Sequence, residues 1–406
     1  MGGMAGHMLH LHESMGLTFG EIKSALKDVV SAEIEAVEKV DGQNLFFTWN
    51  AQAGQIRTAR GAGDIEGGGM SPSEFAAKWK GHPAEDAFTQ GFEAIESAIG
   101  GLAEEDLRAI FGNNGDRYVN AEIMYVDNPN MILYDGNYIV VHNLQDFGDK
   151  TGPIRSGEFE RLVDAIEGYE AQTSEADWSI HGPQLTSIRD IADGIHYTNF
   201  VSALNAASGG MSDSASIGDF VAERLRVGPV GDMKMSIERQ ERLIDRIVGV
   251  ASGKSAKDLP DIRNLKKGLD KTTQKRISQL ATTSTAHKTV GVITAPIART
   301  ISDFAVEVLR GMRSFFVTDH DGEIQRMRNM LDAAINKIQS YRGANAEEVG
   351  QMLVSQLEKL GSLENVATTI EGIVFEYPPG SDQLYKLTGS FAMINQIVGR
   401  ARRLPE

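Results

Sequence analysis

The chain has 406 residues, 41% of them hydrophobic, with a formal net charge of −16 and no cysteine. That length allows two or three domains around a sizeable core, and the missing thiols exclude disulfides, thiolate metal sites and a cysteine nucleophile. No apolar run reaches the roughly 18 residues of a membrane span and no signal-peptide pattern opens the sequence, so a cytoplasmic protein with no membrane partner is expected.

Near the start, His7, His10 and His12 have no carboxylate or further histidine at ligand spacing and read as a mobile tail. Helical spacing of apolar residues predicts a helix over 19–34, packed beside the first strands. Strands follow over 34–61, with 50–54 as their hairpin turn. The glycine-rich stretch 61–70 reads as mobile and lacks the Gly-Lys-Ser/Thr ending of a Walker loop. Helices are expected over 73–80, 87–99 and 104–111. Strands return at 117–126, 131–134 and 138–143, the last two joined by a turn at Asp135-Gly136-Asn137.

Beyond about residue 150 the pattern turns helical, with 236–250, 304–313, 324–341 and 346–360 as examples and 178–181 as a short strand. Strands resume only at 367–377 and 383–387, before a last helix over 391–403. The simplest architecture is a mixed sheet built from both ends of the chain, 1–150 and 366–406, holding a mostly helical insertion over 151–365. Residues 234–313 carry sixteen Lys and Arg against eight Asp and Glu, which reads equally as a basic nucleic-acid face or as a solvated helical surface.

Gly253-Lys254-Ser255 fails as a Walker loop because Gly249 is one residue too near and no strand precedes it. The run 319–323 (DHDGE) lacks the later ligands of a calcium loop and reads as a cap for the helix from Ile324. Met312, Phe315 and Phe316 read as core.

Five pieces carry related chemistry: Lys39-Val40-Asp41-Gly42, Arg57-Thr58-Ala59-Arg60, Glu122, Glu371-Gly372-Ile373-Val374 and Tyr385-Lys386-Leu387-Thr388-Gly389. A free lysine amine is mostly a cation at neutral pH, with a pKa of about 10.4, and flanking carboxylates such as Glu38 and Asp41 raise it further. Cations are therefore needed beside Lys39 to free its lone pair: a metal ion with the nucleotide, and Lys386. Phosphate charge calls for Lys386 and Arg57, and magnesium calls for oxygen ligands, Glu371 first and Glu122 second. The small neighbours Ala121 and Gly372 read as room for a nucleotide at the backbone.

This order and chemistry resemble the covalent nucleotidyltransferase superfamily of ATP-dependent polynucleotide ligases and mRNA capping enzymes, most of all the RNA ligases, over residues 35–145 and 365–390. The resemblance implies an α+β fold with a mixed, largely antiparallel nucleotidyltransferase domain (ATP-grasp-like), and ATP and Mg2+ as cofactors. It also implies a lysyl-AMP intermediate through which a 5′-phosphate is joined to a 3′-hydroxyl.

Carried over by residue, Lys39 is the adenylated nucleophile, with Asp41 in its motif and Lys386 on the α-phosphate. Arg57, or alternatively Arg60, contacts phosphate or sugar, Glu122 holds the ribose, Glu371 helps bind metal and Glu38 accepts the adenine amino group. The sequence departs from the family at Thr388, where a second basic residue is usual. It departs again at the base-stacking strand, where His142 is the first candidate and Tyr138 the second.

An RNA substrate is expected because only seventeen residues follow Gly389, whereas many DNA ligases and capping enzymes continue into a small β-barrel. The partner is then RNA or a nicked RNA/DNA duplex, gripped by the basic helical region. The alternatives are a DNA ligase without a C-terminal OB barrel and a non-catalytic nucleic-acid-binding relative, with capping a more distant reading.

Overall fold

The computed structural model describes residues 8–148, 155–173, 176–186, 195–312, 315–316, 320–343, 345–360, 370–381, 383–389 and 391–405. The fold is α+β. Helix α1 (Phe19–Val30) opens on a reciprocal cap: Thr18 accepts the Glu21 amide at 3.1 Å while Glu21 accepts the Thr18 amide at 2.8 Å. It stops four residues short of the expected end because Ala32 takes a left-handed φ of 55°.

Strands β1 (Ala36–Lys39), β2 (Gln43–Asn50) and β3 (Gln55–Ala59) follow. The stretch read as a mobile loop contains a short helix, α2 (Ala62–Glu66), and is tied back to β3 by paired Thr58 and Met70 backbone bonds of 3.0 and 2.7 Å. Next come α3 (Pro72–Trp79), α4 (Glu85–Gly100), α5 (Glu104–Phe111), β4 (Arg117–Met124) and β5 (Asn137–Asp146). After α6 (Ser156–Ile166), strands β6 (Tyr169–Gln172) and β7 (Asp177–His181) complete a six-stranded sheet in the order β3-β2-β4-β5-β7-β6. It is antiparallel except for the β5–β7 pair.

Period-two alternation gives this sheet two unlike faces. Leu45, Phe47, Val119, Ala121, Ile139, Val141, Trp178 and Ile180 pack under α3–α6 with Phe75, Phe88, Phe92 and Ile95. The opposite face carries Asn44, Phe46, Arg57, Asn120 and Glu122. Helix α4 sits so close to β4 that a side chain at Gly91 would meet Ile123 at 2.7 Å.

The expected strand over 131–134 is absent, so the Asp135-Gly136-Asn137 turn leads from a loop into β5. Backbone amides that would pair with a neighbouring strand are taken by a side chain: Met131 and Ile132 both donate to Asp41, at 2.5 and 2.7 Å.

Helices α7 (Tyr197–Ala207), α8 (Ile217–Arg226), α9 (Ile237–Ala251), α10 (Ile262–Lys266), α11 (Lys271–Leu280) and α12 (Thr283–Gly311) make the helical body. The helix expected over 304–313 is the last part of α12, and Arg313 lies outside the described residues. Residues Phe19, Ile22, Leu26 and Val29 of α1 enter one core with Phe220, Leu243, Ile247 and Phe304, so α1 joins this body as well as the strands. Helices α13 (His320–Ser340) and α14 (Ala346–Leu360) instead pack with the final α15 (Phe391–Arg402) around Val40, Met124 and Val140. Asp319 of the expected cap lies outside the described residues, and α13 begins at His320.

Strands β8 (Gly372–Glu376) and β9 (Leu384–Thr388) join β1 in a second sheet of order β1-β8-β9, antiparallel throughout, so its strands come from both ends of the sequence. Residues 367–369 of the expected strand lie outside the described residues. Among the described residues no helix is long and apolar enough to cross a membrane.

Candidate active site

Strand β1 belongs to one sheet and β2 to the other, and only Val40-Asp41-Gly42 separates them. Lys39, the last residue of β1, therefore stands at the corner between the sheets. Two close approaches hold that corner. The Asp41 amide donates to the Tyr134 hydroxyl at 2.9 Å, and the Gly42 amide donates to Glu122 Oε1 at 3.0 Å. Only glycine fits at 42: a Cβ there would lie 2.5 Å from the Ile123 carbonyl oxygen and 2.9 Å from Glu122 Cγ.

Lys39 Nζ lies 2.6 Å from Glu371 Oε2, with side-chain exposures of 18% and 12%. Residues 332 positions apart are thus an ion pair, because Lys39 pairs with Gly372 in the β1–β8 register and Glu371 directly precedes it. Burial alone would lower the Lys39 ammonium, but Glu371 first, then Glu122 and Asp41, hold it above its ordinary value. For Glu371 burial wins: it lifts the carboxyl to about 7 against the pull of Lys39, and Asp41 and Glu122 add to the lift.

Glu122 projects from β4 on the face that carries Asn44, its partner in the β2 register. Burial pushes its carboxyl up, yet the His142 hydrogen bond, Lys39 and the Gly42 amide together hold it below its ordinary value. His142, the first base-stacking candidate, has its Nε2 3.5 Å from Glu122 Oε2. A bulge explains this: Ala121 faces Val141 and Asn120 faces Asn143, leaving His142 unpaired in the ladder and turned toward Glu122.

Asp41, the second charged residue of the Lys39 motif, holds a loop. Its carboxylate is buried and accepts Asn130 Nδ2 at 2.7 Å as well as the Met131 and Ile132 amides. Burial raises it, against Lys39 and those two amides.

Lys386 lies on the same face of β8–β9 as Thr388, opposite Val374. Burial lowers its ammonium; Lys39 lowers it further, while Glu13 and Glu371 raise it. Glu13 and the Lys39–Glu371 pair thus all act on the Lys386 ammonium.

Arg57 shares the Glu122 face and donates to the Gly69 carbonyl at 3.2 Å. Its alternate, Arg60, lies over the rings of Phe88 and Trp79 at 4.9 and 5.7 Å, on the helix side of the sheet. Glu38 is buried and accepts the Phe315 amide at 2.8 Å.

Phe316 is core at 3% exposure, as expected, but Phe315 is 51% exposed and meets the His181 ring edge-on at 5.5 Å. Tyr138, the second stacking candidate, lies 4.9 Å from the Phe316 ring. Sequence reasoning missed this aromatic group beside Glu38, since Phe315 is far from the motifs in the chain. It also missed Asn44 and Asn120, bonded side chain to side chain at 2.5 Å on the Glu122 face.

Ala121 and Gly372 are small for reasons other than a ligand: Ala121 is buried under the helices, and a Cβ at Gly372 would strike the Leu387 carbonyl and the Thr388 side chain. His10 and His12, read as a tail, are placed beside β9. Leu9 bridges Tyr385, and the two imidazole rings stack at 5.4 Å, while His7 lies outside the described residues.

A magnesium ion fits the donor chemistry here. Glu122 and Glu371 offer hard oxygens, and more carboxylate than ammonium charge is gathered around Lys39. Among the described residues no three His, Asp or Glu side chains form a metal-binding group. Two carboxylates are nevertheless what an ion held chiefly by nucleotide phosphates and water requires.

No family model matches the chain, and no curated protein or solved structure does.

Proposed function

We propose that this protein is an ATP-dependent polynucleotide ligase, acting on RNA ends, that works through a lysyl-AMP intermediate on Lys39. One observation carries the reading: a largely buried lysine at the corner of two sheets, 2.6 Å from a carboxylate lifted to about 7 and facing a second carboxylate on the other sheet.

Glu371 holds the Lys39 ammonium at 2.6 Å in the resting site, and the proton is released to solvent once the cations that enter with the nucleotide favour the neutral amine. The freed amine attacks the α-phosphorus of ATP, a phosphorus–nitrogen bond forms, and the bond to the β-phosphate oxygen breaks with release of pyrophosphate. Lys386 and Arg57 supply positive charge to the phosphates, and Glu122, steadied by His142, takes a ribose hydroxyl. Glu371 and Glu122 would hold magnesium, which when bound supplies the positive charge that favours the neutral amine. An acceptor 5′-phosphate oxygen then displaces Lys39 from AMP, and a 3′-hydroxyl displaces AMP to leave a phosphodiester.

The face on α10–α11 supports the nucleic-acid partner. Arg263, Lys267, Lys271, Lys275 and Arg276 are exposed there, and Lys266 is partly buried against Ser278 at 3.0 Å.

Incubation with α-labelled ATP and magnesium tests the reading. A labelled band is expected in the wild type and none in Lys39→Ala. Nicked RNA against nicked DNA duplexes then fixes the substrate. No label in the folded wild type turns the reading toward a nucleic-acid-binding protein without turnover.

A further inference from the structure

A cavity of about 950 Å3 opens between the segment 9–16, helix α12, the end of β9 and α15. That size is at the upper end of small-molecule sites and ample for a nucleotide. Among the described residues its ionisable lining is His10, His12, His287 and Arg299 against the single carboxylate of Glu13. Glu13 is already engaged, accepting the His10 amide at 2.9 Å and attracting Lys386. Among the described residues Arg299 has only a long, exposed pair with Asp303 at 3.9 Å, which costs little to exchange.

Two continuities say what the cavity receives. On one side Thr388 lines it, and Thr388 pairs with Gly372, the residue opposite Lys39. The cavity thus reaches the β9 end of the sheet whose β1 strand ends at Lys39. On the other side, the lining residues Gly253 and His287 are followed directly in sequence by the exposed Lys254 and Lys288, the latter paired with Glu348 at 3.0 Å.

We propose that this cavity binds a nucleotide through its phosphate monoester, supplied by the phosphorylated end of an acceptor strand that reaches it over the basic rim. Arg299 offers the planar fork that suits a dianionic phosphate, and His287 adds a ring N–H donor. The strand-end source rests on the ligase reading above; a free nucleoside monophosphate would use the same chemistry.

The test measures anisotropy of a labelled oligoribonucleotide carrying a 5′-phosphate or a 5′-hydroxyl, on the full chain. The wild type is expected to prefer the phosphorylated end by about tenfold or more. Arg299→Gln and Gly291→Phe should abolish that preference. Gly291 lines the cavity, and a Cβ there meets nothing within 4 Å, so the phenylalanine occupies space without disturbing the backbone. Both variants should still take label from ATP as the wild type does, which shows that they are folded.

Uridine monophosphate separates the sources. No competition at millimolar concentration supports the strand end, whereas competition that is lost in both variants supports the free nucleotide. A wild type indifferent to the 5′-phosphate and to uridine monophosphate, or variants that bind like it, overturns the proposal. If the wild type takes no label but keeps a phosphate preference that the variants lose, the ligase reading fails and the cavity assignment stands.

Discussion

Replacing Glu371 by glutamine isolates the charge imbalance at Lys39. The carboxyl titrates at about 7 in the fold against 4.5 for its ordinary value, a gap that corresponds to about 3 kcal/mol. Because the folded value is raised, the stability linked to this group is complete below 4.5 and is lost as pH rises through 7. The amide of the variant never ionises, yet it still offers Lys39 an oxygen acceptor. Wild type minus variant stability, taken from urea denaturation, should therefore fall by about 3 kcal/mol between about pH 4 and pH 8. This is the reverse of what a simple ion pair gives, where removing one partner hurts most when both are charged. A difference that stays flat, or that moves in favour of the wild type toward pH 8, would mean that Lys39 alone neutralises Glu371. The crowded-carboxylate reasoning would then be refuted.

Gly42→Ala forces a methyl group against the Ile123 carbonyl and the Glu122 side chain. It should cost about 1–3 kcal/mol by overpacking and reduce ATP labelling further than the lost stability explains, as labelling per folded molecule will show. Asp41→Ala leaves the Met131 and Ile132 amides and the Asn130 side chain without their acceptor. At about 1–3 kcal/mol for each buried orphan, chemical denaturation should show a loss of about 3 kcal/mol or more; a variant as stable as wild type removes the loop-holding role. Reversing Lys267, Lys271, Lys275 and Arg276 to glutamate should weaken RNA binding and flatten its salt dependence by about one in slope per lost phosphate contact. An unchanged slope in a binding titration across salt concentrations dissociates this face from the nucleic acid.

The strands and their faces were legible where alternation was strong. Leu45 and Phe47 point to the helices while Asn44 and Glu122 share the other face, as period two requires. The Lys39–Glu371 pair was suggested by two short motifs, since each sits at the end of its strand and register does the rest. The loop-holding role of Asp41 was not legible because local sequence shows a carboxylate, not the three donors brought to it from residues 130–132. The same bonds removed a strand that the apolar run Met131-Ile132-Leu133 suggested. His142 illustrates a different limit. A bulge turns this ring toward Glu122, and no residue pattern in 138–143 marks where the ladder skips. His10 and His12 were dismissed for lack of metal-ligand partners, yet they are placed by a single backbone bridge to β9 that joins residues 376 positions apart.

The opposed charges at Lys39 also explain why two separate sheets are needed. Glu371 and Lys39 lie on one sheet and Glu122 on the other, and the Gly42 amide spends one oxygen of Glu122 on fixing the gap between them. Asp41 spends its carboxylate on the loop, so its charge remains but its oxygens are committed. Glu371 and Glu122 then flank one ammonium, and Lys386 feels the charge of Glu13 as well as that of Glu371. On the proposed reading, a bare triphosphate entering this gap meets more negative than positive charge. The arrangement discriminates against ATP alone and for ATP accompanied by a divalent cation, at the binding step as well as in turnover. Activation of Lys39 and admission of the nucleotide are thereby the same electrostatic event, since the charge that makes room for the phosphates also releases the amine from Glu371.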